Sequence, residues 1–291
     1  MNTAAVFFEA ARPRTLPAGA APVVLGIALA AADGGLHVVA AICAVLGALA
    51  IQIGTNYAND YFDFKNGADT EARVGPRRAT QAGLVPPSTM RAAFIITFGI
   101  AVVFGCYLVW RGGWPIVVVG VLSVICGILY TGGPKPLGYL GLGDILVLVF
   151  FGPVAVAGTV YVQTLQLSWP AVIVGLSPGL LSTAILVVNN LRDRHTDIGA
   201  NKKTLAVRFG ATAARIEYTL CVIGGLAIPV VVGAWLGHTT ALVVLFAIPM
   251  AVSTTRAVWT TDGPALNPLL GRTAKLLLVT TVLTVLGWLL G

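Results

Sequence analysis

Asn56, Asp60 and Asp63 stand at i, i+4 and i+7 in the stretch NYANDYFDFKNGADTEARVGPRR, which runs from Asn56 to Arg78. A helix continuing through them puts all three on one face, and Asn59 and Asp63 form a further i, i+4 pair. Asp60, Asp63, Asp69 and Glu71 place four of the chain's eleven acids just past a long apolar run. Carboxylates and amides converging there repel one another unless a cation sits among them. Hard oxygen ligands of this kind suit Mg²⁺, which is held by a few carboxylates together with substrate phosphates. The plainer reading is a solvated acidic helix end. Ionisable residues at the ends of membrane spans are as a rule functional, which favours the first reading.

A second stretch repeats the pattern. Asn189, Asp193 and Asp197 fall at i, i+4 and i+8 in NNLRDRHTD, again at the end of a long apolar run. Bases follow both stretches: Arg73, Arg77 and Arg78 after the first, Lys202, Lys203 and Arg208 after the second. Acids to hold Mg²⁺ and bases to hold phosphate oxygens describe a diphosphate site. A diphosphate so held is a good leaving group. If it leaves an allylic isoprenoid, the remaining cation is delocalised, and an aromatic acceptor can attack it while apolar helices hold the tail. Lys135, in the Gly- and Pro-rich loop Tyr130–Tyr139, is expected to touch the diphosphate as well; the alternative is a surface lysine.

The elements that must position these residues are membrane helices. Of 291 residues 57% are hydrophobic and 10% charged, with mean hydropathy +0.90, where soluble domains carry about 25% charge. Nine apolar stretches, each near the length of a span, are read at 16–32, 37–58, 91–110, 114–131, 143–163, 170–191, 213–235, 239–257 and 272–290. Two long loops, 59–90 and 192–212, are expected to carry the acidic stretches. The N-terminal segment reads as leading into a span, with no cleavable signal peptide. With the N-terminus in the cytoplasm, 17 of the 18 lysines and arginines fall on that side and only Arg111 falls outside, as the positive-inside rule requires. That distribution accounts for the net charge of +7, so no nucleic-acid partner is implied. Cys43, Cys106, Cys126 and Cys221 are scattered singly through apolar segments and read as small buried hydrophobes without metal-ligand spacing.

The paired stretches resemble the motifs of the UbiA superfamily of intramembrane prenyltransferases, Asn-Asp-x2-Asp-x3-Asp after the second helix and Asp-x3-Asp after the sixth. Asn59-Asp60-Tyr61-Phe62-Asp63 and Asp193-Arg194-His195-Thr196-Asp197 match them. The last aspartate of the first motif is replaced by Gly67, and the next acid is Asp69. The loop that follows, with Arg73, Gly75-Pro76, Arg78, Gln81 and Gly83, is similar to the branch that prenylates 1,4-dihydroxy-2-naphthoate. Arg12-Pro13-Arg14-Thr15-Leu16-Pro17 and Tyr130-Thr131-Gly132-Gly133-Pro134 are similar to the same branch.

The resemblance implies a single integral-membrane domain over 1–291, an all-α bundle of nine transmembrane helices around a central cavity, in the cell membrane with its active site on the cytoplasmic side. It implies Mg²⁺ as cofactor, with polyprenyl diphosphate and 1,4-dihydroxy-2-naphthoate as substrates joined with decarboxylation. Carried over by position, Asn59, Asp63, Asp69, Asp193 and Asp197 become the metal set. Asp60, Asp63, Asp193, Asp197 and Lys135 become the catalytic set. Asn56, Arg73, Arg78, Tyr130, Asn189, Arg192 and Lys202 become the substrate-binding set. Two alternatives stand beside this reading: another acceptor in the same superfamily, such as 4-hydroxybenzoate, and a cation-coupled transporter. Transporters place their acids near the bilayer midplane, whereas here they end the spans.

Overall fold

The computed structural model describes residues 2–67, 74–75 and 77–291. Among them every regular element is helical. A short α1 (Thr3–Ala10) precedes α2 (Leu16–Ala32), α3 (Val38–Lys65), α4 (Pro87–Gly112) and α5 (Trp114–Leu129). After the Gly- and Pro-rich loop come α6 (Gly143–Phe150), α7 (Pro153–Thr164), α8 (Trp169–Gly199) and α9 (Leu205–Trp235). A 3₁₀ segment, Thr239–Ala247, runs into α10 (Ile248–Thr260), and a 3₁₀ turn, Gly263–Leu266, runs into α11 (Asn267–Leu289). All nine apolar stretches are helical. Among the described residues seven segments, counting α6–α7 and each 3₁₀ lead-in with its helix as one, are long and apolar enough to cross a membrane. The other two, α2 and α5, are apolar but shorter.

The expected loops were drawn too long. Helix α3 runs to Lys65 and α8 to Gly199, while α9 already begins at Leu205. Both acidic stretches are therefore helical, lying on the last turns of α3 and α8. The helices outlast their apolar runs because the polar residues beyond those runs still find buried partners inside the bundle. Asp144 lies in the first turn of α6, where no side chain caps the helix.

Helix α8 is the hub, packing on α9, α11, α6, α7 and α2. Ser168 starts it, its hydroxyl accepting the Ala171 N–H at 3.3 Å, and Pro170 occupies the first turn, where its missing N–H costs nothing. In lipid the association of apolar helices rests on close fit and interhelical hydrogen bonds. Gly152, at the break between α6 and α7, shows the fit: a Cβ there would lie 2.8 Å from the Gly175 carbonyl oxygen on α8. Ser177 donates to the Gly225 carbonyl at 2.5 Å, joining α8 to α9. Tyr218 and Thr273 share a buried hydroxyl contact at 3.1 Å, joining α9 to α11.

At the end of the bundle opposite the acidic turns, Arg111 donates to the carbonyls of Val162 (2.6 Å) and Gln163 (2.8 Å). Trp110, Trp114, Trp169 and Trp235 are exposed at that end, the placement aromatic residues take at a membrane–water interface.

Candidate active site

The last turns of α3 and α8 converge on one cavity of about 1260 Å³. Asn56, Asn59 and Asp63 reach it from α3, and Asn189, Asn190, Asp193 and Asp197 from α8. Arg78, Lys202 and Asn267 complete the polar part, and Arg12 and Arg14 line it from the turn between α1 and α2. The rest of the wall is apolar. Val102 of α4 and Val117 and Val121 of α5 line the cavity and are exposed.

Asp63 is 2% exposed and is the centre of the polar part. Arg78 Nη2 donates to its Oδ2 at 2.7 Å, and the Tyr139 hydroxyl donates to its Oδ1 at 2.8 Å. Lys202 Nζ lies 3.7 Å from Asp63 Oδ1 and 3.9 Å from Asp197 Oδ1. One ammonium therefore stands between the acids of the two stretches, with the Tyr139 ring 4.9 Å below it, a favourable place for a cation. On α8, Arg192 grips its own neighbour: Nε donates to Asp193 Oδ1 at 2.7 Å and Nη2 to Oδ2 at 2.5 Å. Nη2 also reaches Asn189 Oδ1 at 2.8 Å and Nη1 reaches Asn267 Oδ1 at 2.9 Å.

The remaining residues of the first stretch have other partners. Asn56 donates to the Ala11 carbonyl at 2.9 Å and Tyr57 to the Phe7 carbonyl at 3.0 Å, fastening α1 to α3. Asn59 accepts from the Thr131 hydroxyl at 2.7 Å. Asp60 is buried but does not line the cavity. Its two oxygens accept the backbone N–H groups of Ala79 and Thr80, each at 2.9 Å. The helical face expected from spacing is real, but it is wide enough to serve three tasks.

The loop after α5 is folded against the turn between α8 and α9. Gly141, at φ +78°, lies so close to Lys203 that a Cβ would stand 2.5 Å from the Lys203 carbonyl oxygen. The Lys203 N–H donates to the Tyr139 carbonyl at 2.8 Å and Arg208 to the Leu140 carbonyl at 2.7 Å. These contacts seat Tyr139 over Asp63 and Lys202.

Of the residues singled out from sequence, the structure brings Asn56, Asn59, Asp63, Arg78, Tyr130, Asn189, Asp193, Asp197 and Lys202 to one cavity, with Arg192 buried directly behind Asp193. It does not bring Lys135, which is exposed and does not line the cavity. Asp69 and Arg73 lie outside the described residues. Sequence reasoning passed over Tyr139, Thr131 and Asn267. Tyr139 and Thr131 sit in the very loop from which Lys135 was chosen; Asn267 carried no signal beyond its type.

Among the described residues no group of three or more His, Cys, Asp or Glu is poised to hold a metal by itself. Each motif acid facing the cavity instead has a cation: Asp63 with Arg78, Asp193 with Arg192, Asp197 with Lys202. The donor set still fits Mg²⁺. Three carboxylates and several amide oxygens surround one space, and Mg²⁺ commonly takes only one or two protein carboxylates, filling its shell with water and substrate phosphate.

Fold and site together define an all-helical, multi-pass membrane protein with a largely apolar cavity that is charged at one end. The model of the UbiA prenyltransferase family matches residues 20–279. A 1,4-dihydroxy-2-naphthoate octaprenyltransferase of Mycobacterium leprae is 38% identical over 283 residues, covering 96% of this chain and 94% of that protein. One of Escherichia coli is 37% identical over 289 residues, covering 97% and 94%. Among solved structures, a UbiA homolog from Archaeoglobus fulgidus bound to GPP and Mg²⁺ superposes with a TM-score of 0.64 at 11% identity, covering 96% of this chain and 99% of that one. The chain belongs to the UbiA prenyltransferase family.

Proposed function

We propose that the protein transfers a polyprenyl group from polyprenyl diphosphate to 1,4-dihydroxy-2-naphthoate, releasing CO₂ and diphosphate and forming the quinol form of a demethylmenaquinone. The observation that carries this reading is the convergence of both Asn/Asp turns on the polar part of a cavity that is otherwise apolar. The names of the relatives support the acceptor. In the reaction the allylic C–O bond breaks and the electron pair leaves with the diphosphate. The ring carbon bearing the carboxylate attacks the allylic cation, a C–C bond forms, and loss of CO₂ returns an electron pair to the ring. No external oxidant or reductant is needed.

The chain's residues divide the work. Arg78, held on Asp63, and Lys202, between Asp63 and Asp197, offer charge-assisted donors to the departing oxygens, where charge develops in the transition state. Asn59, Asp63, Asp193 and Asp197 would hold Mg²⁺. Once bound, the ion would act as a Lewis acid on the diphosphate. The motif charges already cancel in pairs, so the carboxylates would meet an incoming diphosphate as like charges without a divalent cation between them. The fulgidus homolog, bound to both GPP and Mg²⁺, supports this assignment. The apolar wall excludes water from the cation and accepts the tail.

The acids sit on the last turns of α3 and α8, at one end of the bundle, so a midplane transport site is not favoured. The basic bias supports a cytoplasmic orientation for that end, and we take the membrane to be the cell membrane. The test is to incubate purified protein with Mg²⁺, a polyprenyl diphosphate and either 1,4-dihydroxy-2-naphthoate or 4-hydroxybenzoate, then weigh the product. A prenylated naphthalenediol lacking the carboxyl group is expected. A product that keeps the carboxyl group, or turnover with 4-hydroxybenzoate alone, would replace this reading.

A further inference from the structure

Asn267 opens α11, far in sequence from both motifs, and lines the cavity. Its side chain is used at both ends. Oδ1 accepts from Arg192 Nη1 at 2.9 Å, and Nδ2 donates to the Val74 carbonyl at 3.3 Å. A carboxamide can accept from a guanidinium and donate to a carbonyl at once; a carboxylate can only accept, and an apolar side chain can do neither. The partners also fix which way the amide points, since the opposite orientation would set donor against donor and acceptor against acceptor.

What Asn267 joins is the first motif to the second. Arg192 already spends Nε and Nη2 on Asp193 and Asn189. Asn267 occupies Nη1 and so orients the whole guanidinium plane on Asp193. Val74 lies four residues before Arg78, whose guanidinium is on Asp63. Asp60 holds the backbone immediately after Arg78, at Ala79 and Thr80. Arg78 is therefore flanked by two anchored backbone points, Val74 held by α11 before it and Ala79 and Thr80 held by α3 after it.

We propose that Asn267 is a positioning residue that couples the two motifs. Through one amide it sets Arg192 on Asp193 and holds the Val74 carbonyl, four residues before the Arg78 that meets Asp63. The role rests on the proposed prenyl transfer for its kinetic consequence, but not for its structural one. Loosening the Val74 contact lets Arg78 leave the diphosphate's place, which weakens donor binding and leaves the aromatic acceptor's own contacts intact.

The experiment compares wild type, Asn267→Ala and Asn267→Asp in lipid nanodiscs. The first readout needs no substrate: the rate of tryptic cleavage after Arg77, which is exposed, beside the thermal midpoint. The second is the KM for polyprenyl diphosphate and for 1,4-dihydroxy-2-naphthoate, with kcat. Both variants should be cut at least about tenfold faster, the scale of one lost hydrogen bond, and the Asp variant at an unchanged thermal midpoint. They should also raise the donor KM about tenfold and spare the acceptor KM. Asn267→Asp keeps an acceptor for Arg192 and loses only the Val74 donor, so it isolates the loop contact even if the alanine variant folds poorly. Cleavage at the wild-type rate in a folded Asp variant overturns the proposal. So does a fall in thermal midpoint with equal changes in both KM values, which marks a merely structural role. If wild type fails to prenylate the naphthoate, the reaction assignment falls, while the cleavage rates still decide the coupling.

Discussion

Asp60→Asn separates a carboxylate that ligates metal from one that holds a loop. Sequence spacing groups Asp60 with the catalytic acids, but its side chain is buried away from the cavity with both oxygens on backbone amides of residues 79 and 80. Hydrogen bonds to a charged acceptor contribute about 1.5–3 kcal/mol each. Removing both with Asp60→Ala leaves two buried N–H groups unmatched, a loss on the order of 3–5 kcal/mol. Asp60→Asn keeps one oxygen for one amide and turns an NH₂ toward the other, so about half that loss is expected. Because Arg78 immediately precedes these amides, its grip on Asp63 loosens with them. The assay is turnover against Mg²⁺ concentration, run beside thermal denaturation. Asp60→Asn should lower both the thermal midpoint and kcat/KM for the donor, while half-maximal activity comes at the wild-type Mg²⁺ concentration. Asp63→Asn should shift that concentration upward. A large upward shift for Asp60→Asn with an unchanged thermal midpoint would make Asp60 a metal ligand and refute the loop assignment.

Asp63→Ala and Asp193→Ala should each nearly abolish turnover, and a divalent chelator should reproduce both; full activity in excess chelator would exclude the Mg²⁺–diphosphate mechanism. Arg78→Lys should retain part of the activity and Arg78→Ala almost none, because lysine keeps the charge but loses the two-pronged donor, as measured by kcat/KM for the donor. Lys135→Ala should keep near-wild-type kinetics, since the side chain is exposed and off the cavity; a tenfold loss in kcat/KM would return Lys135 to the site. Reporter fusions after residues 85 and 165 should report opposite sides of the membrane, and the same side for both would break the nine-span topology. Arg194 holds the Asp262 carboxyl down to about 2, so this pair stabilises the fold above roughly pH 4, the ordinary carboxylate range. That contribution is lost as pH falls through about 2. With the Asp262 side chain 49% exposed, Asp262→Asn should cost no more than about 1 kcal/mol at neutral pH, as read by denaturation.

The fold was legible because each span advertises itself locally. A run of apolar residues forces a helix in lipid, where every backbone group must be satisfied internally, and all nine stretches are helical. Helix ends were less legible, since hydropathy marks where lipid stops and α3 and α8 continue past that point. The site was legible in its acids, whose i, i+4 spacing survives in the structure. It was not legible in the groups that reach those acids from elsewhere. Tyr139 meets Asp63 only because Gly141 and Lys203 fold one loop onto another, and Asn267 arrives from a helix that begins far along the chain from the first motif. Asp60 and Asp63 show the same limit from inside one motif. Three residues apart on one helix, they face a backbone loop and a cavity, and only the packed neighbours distinguish them.

The exposed valines of the cavity wall bear on the length of the product. A closed apolar pocket is a ruler: a tail longer than the pocket is rejected at its end. A wall that includes exposed residues such as Val102, Val117 and Val121 would, where it opens to lipid, give a tail no end to press against. Isoprene units beyond the first few would then pass outward and remain dissolved in lipid. The quinone pool would then inherit its chain length from whichever enzyme makes the donor, and the same membrane supplied with a shorter donor would fill with a shorter quinone.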